Sequence, residues 1–248
     1  MMRDYRADID GLRAFAVTSV VIYHAAPAIV PAGFVGVDIF FVISGYLIGG
    51  ILYGKASEGT FSFMDFYARR ARRILPALFV VVLASLLFGY FVLGASRFAE
   101  LSAQAITSLV GLSNIYFWER TDYFSLAAEL QPLMMTWSLG VEEQFYVLFP
   151  AAMLGIVRLP AAWRVPVLLA VAAISFSISL VMLSRAPLGA FFLLPPRAWE
   201  LLVGGALAVA HMDGLLKDRP ERISNGLSLL GFALMAGSFF VFDHDTAF

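Results

Sequence analysis

The sequence contains no cysteine and few charged residues. Without a thiol, the chain cannot form a disulfide framework, a cysteine nucleophile or a cysteine-ligated metal site. Charged residues make up 14% of the chain, against about 25% in a typical soluble domain. So small a share cannot cover a water-exposed surface, which excludes a soluble globular enzyme and a disordered chain. The net charge of -1 gives no general attraction to polyanions, which excludes a nucleic-acid-binding domain.

Hydrophobic residues, by contrast, make up 60% of the 248 residues, and the mean hydropathy is +0.83. A membrane-spanning helix needs about 20 predominantly apolar residues. We therefore expect an all-α, polytopic transmembrane helical bundle that forms one domain over residues 1–248. Windows with little or no charge predict about eight hydrophobic segments, at residues 14–37, 39–54, 74–96, 101–118, 137–157, 165–184, 191–212 and 223–242.

Lysine and arginine in short loops predict the orientation of the chain in the membrane. Arg3 and Arg6 place the N-terminus in the cytoplasm, and residues 55–73, with five basic residues, fall on the same side. We interpret residues 12–32 as a retained first helix rather than a signal peptide, because acidic residues are mixed with the basic ones before it and more spans follow.

The segment at residues 101–118 conflicts with this orientation if it crosses the membrane. The acidic loop 119–129 would then be cytoplasmic, and the basic loops 158–164 and 217–222 would lie outside. Both basic loops return to the cytoplasm if the segment does not cross. We therefore expect a re-entrant or interfacial element within residues 98–136.

Ionisable side chains within spans are costly, so each is a candidate for function. His24 follows Arg13 by 11 residues, which returns a helix to within about 20° of the same face, roughly 16 Å further along its axis. We expect Arg13 near the cytoplasmic mouth and His24 well inside the membrane, where a neutral imidazole can act as a general base. The alternative is a structural histidine that hydrogen-bonds a neighbouring helix.

Four arginines stand together before a hydrophobic run, at Arg69, Arg70, Arg72 and Arg73. One interpretation is a positive-inside anchor. Lysine would anchor equally well, however, whereas arginine offers bidentate geometry for phosphate. The cluster is therefore a candidate binding site for a phosphorylated cytoplasmic ligand such as a nucleotide or coenzyme A.

Further polar residues interrupt the hydrophobic segments. Glu142 and Glu143 are adjacent and cannot face the same way on a helix. We therefore expect one of them to reach a polar cavity and accept a hydrogen bond from arginine or histidine. The alternative is a span that begins later and leaves both at the interface. Arg197 and Glu200 are expected to pair locally near an interfacial tryptophan. Gly45 should permit close helix approach. No metal-ligand spacing appears.

Taken together, these segments resemble the bacterial membrane acyltransferase family 3, the O-antigen acetylase-like group. One such motif is weak evidence, but six in the same order are specific, and they run through most of the chain. The matching segments are residues 8–14 with His24, residues 33–47, 69–76, 113–118, 136–146 and 196–202.

The resemblance implies an integral-membrane O-acyltransferase of the bacterial inner membrane. The expected reaction moves an acyl group, usually acetyl, from cytoplasmic acyl-CoA to a hydroxyl of an envelope carbohydrate or glycolipid, such as lipopolysaccharide. Acyl-CoA is then a co-substrate, and no bound cofactor or metal is expected. The positions that carry over are Arg13, His24, Glu142 or Glu143, and an Arg-x-x-Arg element that is either Arg70 with Arg73 or Arg69 with Arg72.

Two departures from the family pattern leave other functions open. Met135 stands where relatives usually have histidine, and the family's membrane domain usually has more helices, so we expect the chain to lack C-terminal helices. The alternatives are a transporter or flippase of a lipid-linked sugar and an inactive, truncated partner.

Overall fold

The computed structural model describes residues 6–120, 131–217 and 220–242. Over these ranges the chain is almost entirely helical and contains no strand, which confirms the all-α class. The elements are α1 (Ala7–Ala25), a 3-10 helix (Gly33–Val35), α2 (Gly36–Ser57), α3 (Phe63–Val92), α4 (Ala95–Leu109), α5 (Ser113–Arg120), α6 (Thr136–Val157), α7 (Ala161–Arg185), α8 (Pro187–Phe192), α9 (Leu194–Met212) and α10 (Glu221–Val241).

Six helical stretches within the described residues are long and apolar enough to cross a membrane. A helix satisfies its own backbone hydrogen bonds, which is why long apolar runs fold this way in lipid. Six of the eight predicted segments correspond to these stretches, which confirms a multi-span bundle. The stretches are α2 together with the 3-10 helix, α3, α6, α7, α8 together with α9, and α10.

The first helix begins and ends earlier than the sequence predicted. We expected residues 12–32, whereas α1 covers Ala7–Ala25. Ala26 precedes Pro27, and the residue before a proline is disfavoured in the helical conformation. His24 therefore lies in the last turn of α1 and not in the middle of a helix that continues to residue 32.

The segment at residues 101–118 is divided rather than continuous. It forms the end of α4 and most of α5, which are separated by a turn at residues 110–112. Gly111 has φ +71°, a left-handed conformation that favours glycine. Neither helix is among the six candidate spans. Most of the predicted acidic loop 119–129 lies outside the described residues.

The chain divides into two compact units. The first unit contains α1, the 3-10 helix, α2 as far as Gly54, the chain from Ile156 to Ile174, and α9 and α10 from Trp199 onward. The second contains the chain from Lys55 to Gly155 and from Ser175 to Ala198.

Within the first unit, α2 and α9 approach each other at backbone distance. Gly45 faces the backbone of Leu201, and a Cβ atom at Gly49 would lie 2.8 Å from the Cα atom of Gly205. On the other side of the contact, Gly204 faces the α2 backbone. Small residues permit this approach in membranes, where dispersion contacts and not water exclusion hold helices together. The predicted close approach at Gly45 is confirmed.

A polar cluster joins three helix ends of the first unit. The Tyr53 hydroxyl at the end of α2 donates to Asp213, which follows α9. Arg164, in the first turn of α7, donates from Nη1 to the Tyr53 oxygen and lies 3.3 Å from the Asp213 carboxylate. These three helix ends therefore lie at the same membrane face.

This shared face determines how many times the intervening chain crosses the membrane. The chain leaves it after α2 and returns to it before α7, so it must cross an even number of times. The two candidate spans in between, α3 and α6, account for both crossings. This supports the prediction of a non-crossing element within residues 98–136, and it places the loop 158–164 and the end of α9 on the same side as residue 55.

Single-cysteine labelling tests this topology without background, because the chain has no cysteine of its own. We expect a membrane-impermeant thiol reagent to label Glu58→Cys and Arg158→Cys from one side of the membrane and Ser96→Cys from the other. Labelling of Arg158→Cys from the same side as Ser96→Cys would contradict the account.

The α2–α9 contact predicts a sharp difference between two glycines of one helix. A Cβ atom at Gly45 would overlap the α9 backbone, whereas one at Gly50 would lie 3.9 Å from the Ala208 Cβ, an ordinary contact. We expect Gly45→Ala to lower stability by about 1–3 kcal/mol or more and Gly50→Ala to have little effect. Thermal unfolding of the purified proteins in detergent measures both, and equal Tm values would refute the contact.

Candidate active site

The four adjacent arginines lie in the second and third turns of α3. The helix begins after Ser62, whose hydroxyl oxygen accepts a hydrogen bond from the Asp65 backbone N–H at 3.3 Å. Burial separates the arginines into two kinds. Arg70 is largely covered, with 14% of its side chain exposed, whereas the other three are exposed to the surroundings.

Arg70 joins α3 to α6 within the second unit. Its Nη2 atom lies 3.6 Å from the Glu143 Oε1 atom, and its guanidinium carbon lies 4.1 Å from the centre of the Tyr146 ring. Close by, the Tyr67 hydroxyl donates to the Val147 carbonyl at 3.0 Å. An ion pair and a cation–π contact together hold the guanidinium in place. Glu143 thus meets an arginine in an ion pair, and not in the hydrogen bond that the sequence predicted.

The remaining arginines are presented on one face. Arg69, Arg72 and Arg73 stand at helical positions i, i+3 and i+4, which are neighbours on the surface of a helix. None of the three forms an ion pair with another residue that the structure describes. Of the two possible Arg-x-x-Arg elements, the one made of Arg69 and Arg72 is therefore wholly exposed, whereas the other includes the engaged Arg70.

The two glutamates occupy different environments inside α6. The helix begins at Thr136, so both lie within the helix and not in a loop before it. Glu142 is buried, with 7% of its surface exposed, while Glu143 turns toward Arg70. Glu143 is seven residues from the start of α6, about 10 Å along the axis.

A network of amides and hydroxyls brings two of the sequence motifs together, the one at residues 113–118 and the one at residues 136–146. Gln144 Nε2 donates to Asn114 Oδ1 at 2.7 Å. Ser113 Oγ donates to the Thr136 carbonyl at 2.7 Å. Gly140 makes room for this contact, because a Cβ atom there would lie 2.7 Å from Asn114 Oδ1. The start of α5 is therefore fixed against the start of α6.

His24 lies in the first unit, exposed in the last turn of α1. Its Nδ1 atom is 2.9 Å from the Val20 carbonyl oxygen. A carbonyl only accepts, so Nδ1 carries the proton in this bond and Nε2 carries the free lone pair of the neutral ring. Its hydrogen bond runs to its own helix, which differs from the alternative of a structural bond to a neighbouring helix. The arrangement leaves Nε2 able to accept a proton.

Arg13 belongs to the same uninterrupted helix as His24, about 16 Å away along its axis. Its guanidinium lies 3.5 Å from the Asp10 carboxylate and 5.6 Å from the centre of the Phe40 ring. With 32% of its side chain exposed, Arg13 remains partly accessible. One helix thus carries a basic group near its start and an imidazole near its end.

The sequence interpretation missed the role of Arg197. We expected an interfacial ion pair with Glu200, yet both residues are buried, and Arg197 is only 1% exposed. Its Nε atom donates to the Phe191 carbonyl at 2.8 Å, and its guanidinium carbon lies 5.2 Å from the centre of the Trp137 ring. An arginine directly after two prolines in a hydrophobic run was the signal that could have identified it.

The described residues hold no group of three or more His, Asp or Glu side chains close enough to bind a metal ion. The chemical groups that they do present include guanidinium groups, carboxylates, amides and the exposed imidazoles of His24 and His211. This set can bind an anionic ligand and transfer a proton.

Comparison with known proteins adds to this picture. The family model described as "Acyltransferase domain" matches residues 6–248. The chain is 34% identical over 238 residues to the putative peptidoglycan O-acetyltransferase YrhL of Bacillus subtilis, covering 92% of this chain and 37% of that protein. It is 32% identical over 246 residues to the O-acetyltransferase OatA of Staphylococcus aureus, covering 96% of this chain and 40% of that protein.

A third relative, the peptidoglycan O-acetyltransferase OatA of Listeria monocytogenes, is 39% identical over 154 residues, which cover 61% of this chain and 25% of that protein. The chain thus spans at most 40% of the length of these three relatives. No solved structure matches the chain.

The different surroundings of the arginines predict different effects of their removal. Arg70→Met and Glu143→Gln should each lower the Tm, and the double variant should lose less than the sum, with a coupling of about 1 kcal/mol or more. Arg69→Met is the matched control and should leave the Tm nearly unchanged. Strict additivity of Arg70→Met and Glu143→Gln would show that their ion pair contributes nothing.

Proposed function

The chain belongs to the acyltransferase domain family, and we propose that it transfers an acetyl group from acyl-CoA to a hydroxyl of an envelope carbohydrate. Two relatives are named as peptidoglycan O-acetyltransferases, so peptidoglycan is the first acceptor to test. The multi-pass architecture supports a reaction at the membrane.

We assign acyl-CoA as the donor because the arginine cluster contains one engaged and three exposed side chains. Arg70 is engaged by Glu143, whereas three arginines on one face of α3 are exposed. Coenzyme A carries several phosphates, and guanidinium groups bind phosphate with bidentate geometry. We assign Arg69, Arg72 and Arg73 to the phosphates of the donor, and Arg13 of α1 stays a separate candidate group.

His24 supplies the proton transfer in this proposal. Its Nε2 atom takes the proton from the acceptor hydroxyl as the hydroxyl oxygen attacks the thioester carbonyl carbon. The carbon–sulfur bond then breaks, and the proton passes from Nε2 to the leaving sulfur. The products are the acetyl ester and free coenzyme A. A general base of this kind contributes typically 10²–10⁴-fold to the rate.

The carboxylates of α6 have a supporting part. Glu143 holds Arg70, which keeps α3 and its exposed arginines in a fixed rotation against α6. Glu142 is buried in the same helix, and we propose that it balances positive charge in the second unit.

We place the arginine cluster on the cytoplasmic face of a bacterial inner membrane. Acyl-CoA is a cytoplasmic metabolite in the implied reaction, and basic segments favour that side. The N-terminus is then cytoplasmic as well. The acceptor lies beyond the membrane, which requires the acetyl group to reach the far side.

His24→Ala tests the catalytic assignment. Membranes that contain the chain are incubated with labelled acetyl-CoA and peptidoglycan, and we expect the variant to lose about 10²–10⁴-fold in transfer rate because the base is gone. His211→Ala is the matched control, since His211 is an exposed histidine in the last turn of α9.

Unchanged transfer by His24→Ala at matched expression would refute its role as the base. Movement of an unmodified glycan across the membrane would instead favour a transporter.

A further inference from the structure

Two prolines remove hydrogen-bond donors from the span formed by α8 and α9. The two helices are separated by Leu193, which is extended with φ -88° and ψ 149°. In a continuous α-helix, a carbonyl accepts from the N–H four residues later. The residues four after Phe191 and Phe192 are Pro195 and Pro196, and proline has no N–H. Both carbonyls therefore lose their helical donors.

Two side chains supply one donor to each of these carbonyls. Asn114 Nδ2 donates to the Phe192 oxygen at 3.1 Å, and Arg197 Nε donates to the Phe191 oxygen at 2.8 Å. The two donor residues are 0% and 1% exposed. An unsatisfied carbonyl is costly in the membrane interior, and this match gives a physical reason for a buried amide and a buried guanidinium at this place.

The same two side chains also contact α6. The Arg197 guanidinium carbon lies 5.2 Å from the centre of the Trp137 ring. The Asn114 Oδ1 atom accepts from Gln144 Nε2 at 2.7 Å. Trp137 and Gln144 lie on either side of the two glutamates in the sequence. The helix break and the carboxylate-bearing segment of α6 therefore share their supports.

We propose that Asn114 and Arg197 are positioning residues for acyl transfer. They replace the two missing N–H donors, stabilise the break between α8 and α9, and thereby fix the α6 segment that carries Glu142 and Glu143. Neither residue contacts the reacting atoms. The positioning role rests on the proposed acyltransferase function, whereas the pairing of donors with carbonyls rests on geometry alone.

The pairing of donors with carbonyls predicts that a second substitution raises the Tm that a first one lowers. Asn114→Leu removes the side-chain donor and leaves the Phe192 carbonyl without it, so the Tm in detergent should fall. Pro196→Ala restores a backbone N–H four residues after Phe192, so the double variant should regain part of the lost Tm, while the bond to Gln144 stays lost. The matched control is Asn225→Leu, an exposed amide of α10, which should change the Tm little. A double variant no more stable than Asn114→Leu would overturn the pairing.

The positioning role predicts that kcat falls while the KM for acetyl-CoA stays unchanged. Pro196→Ala alone should remain folded, yet its restored N–H would compete with Asn114 for the Phe192 carbonyl and so shift the α6 segment. We expect kcat to fall about 10–100-fold, as for small misplacements of reacting groups, with the KM for acetyl-CoA unchanged because the donor arginines lie on α3. Arg197→Lys, which keeps a donor, should retain more activity than Arg197→Met.

Two results would overturn the positioning role. One is an unchanged kcat in Pro196→Ala, and the other is equal activity in Arg197→Lys and Arg197→Met. An absence of acetyl transfer by the unaltered protein would overturn the proposed function and the positioning role together. The Tm comparison would still decide the pairing of donors with carbonyls, so the two failures are distinguishable.

Discussion

A membrane interior offers no water to a backbone carbonyl, so each carbonyl of a span must find its donor within the protein. The span formed by α8 and α9 is where this constraint acts most strongly, because Pro195 and Pro196 remove two donors in succession. Asn114 and Arg197 replace them. The same constraint explains why the other candidate spans are continuous helical stretches, and why a buried arginine is tolerated beside aromatic rings in this part of the fold.

The positions of the charged side chains follow from a similar constraint. A guanidinium within a span is costly unless it is paired or reaches a polar surface, and the four arginines of α3 meet this condition in two ways. Arg70 is paired with Glu143 and stacked on Tyr146, while the others are exposed on one face. One arginine thus holds the helix, and three remain exposed. In α1, the hydrogen bond of His24 to its own helix keeps Nε2 available for a proton.

Hydropathy over about 20 residues is sufficient to predict the helical membrane class and most spans, because insertion depends on that property. Hydropathy does not reveal that α1 ends before Pro27, and this is why His24 lies at the end of the helix. The arginines of α3 are chemically identical in the sequence, and the rotation of α3 against α6 alone distinguishes Arg70. Asn114 and Arg197 are far apart in the sequence, so their common task becomes visible only when α5, α8 and the start of α9 are packed together.

The most direct test of the account is the binding of acetyl-CoA to the purified chain, measured by titration calorimetry in detergent. The unaltered protein should bind acetyl-CoA, and replacing Arg69, Arg72 and Arg73 together by glutamine should abolish binding. Replacing Arg97, an exposed arginine of α4, should leave it intact. Equal affinity of the triple variant and the unaltered protein would contradict the assignment of these three arginines to the donor phosphates.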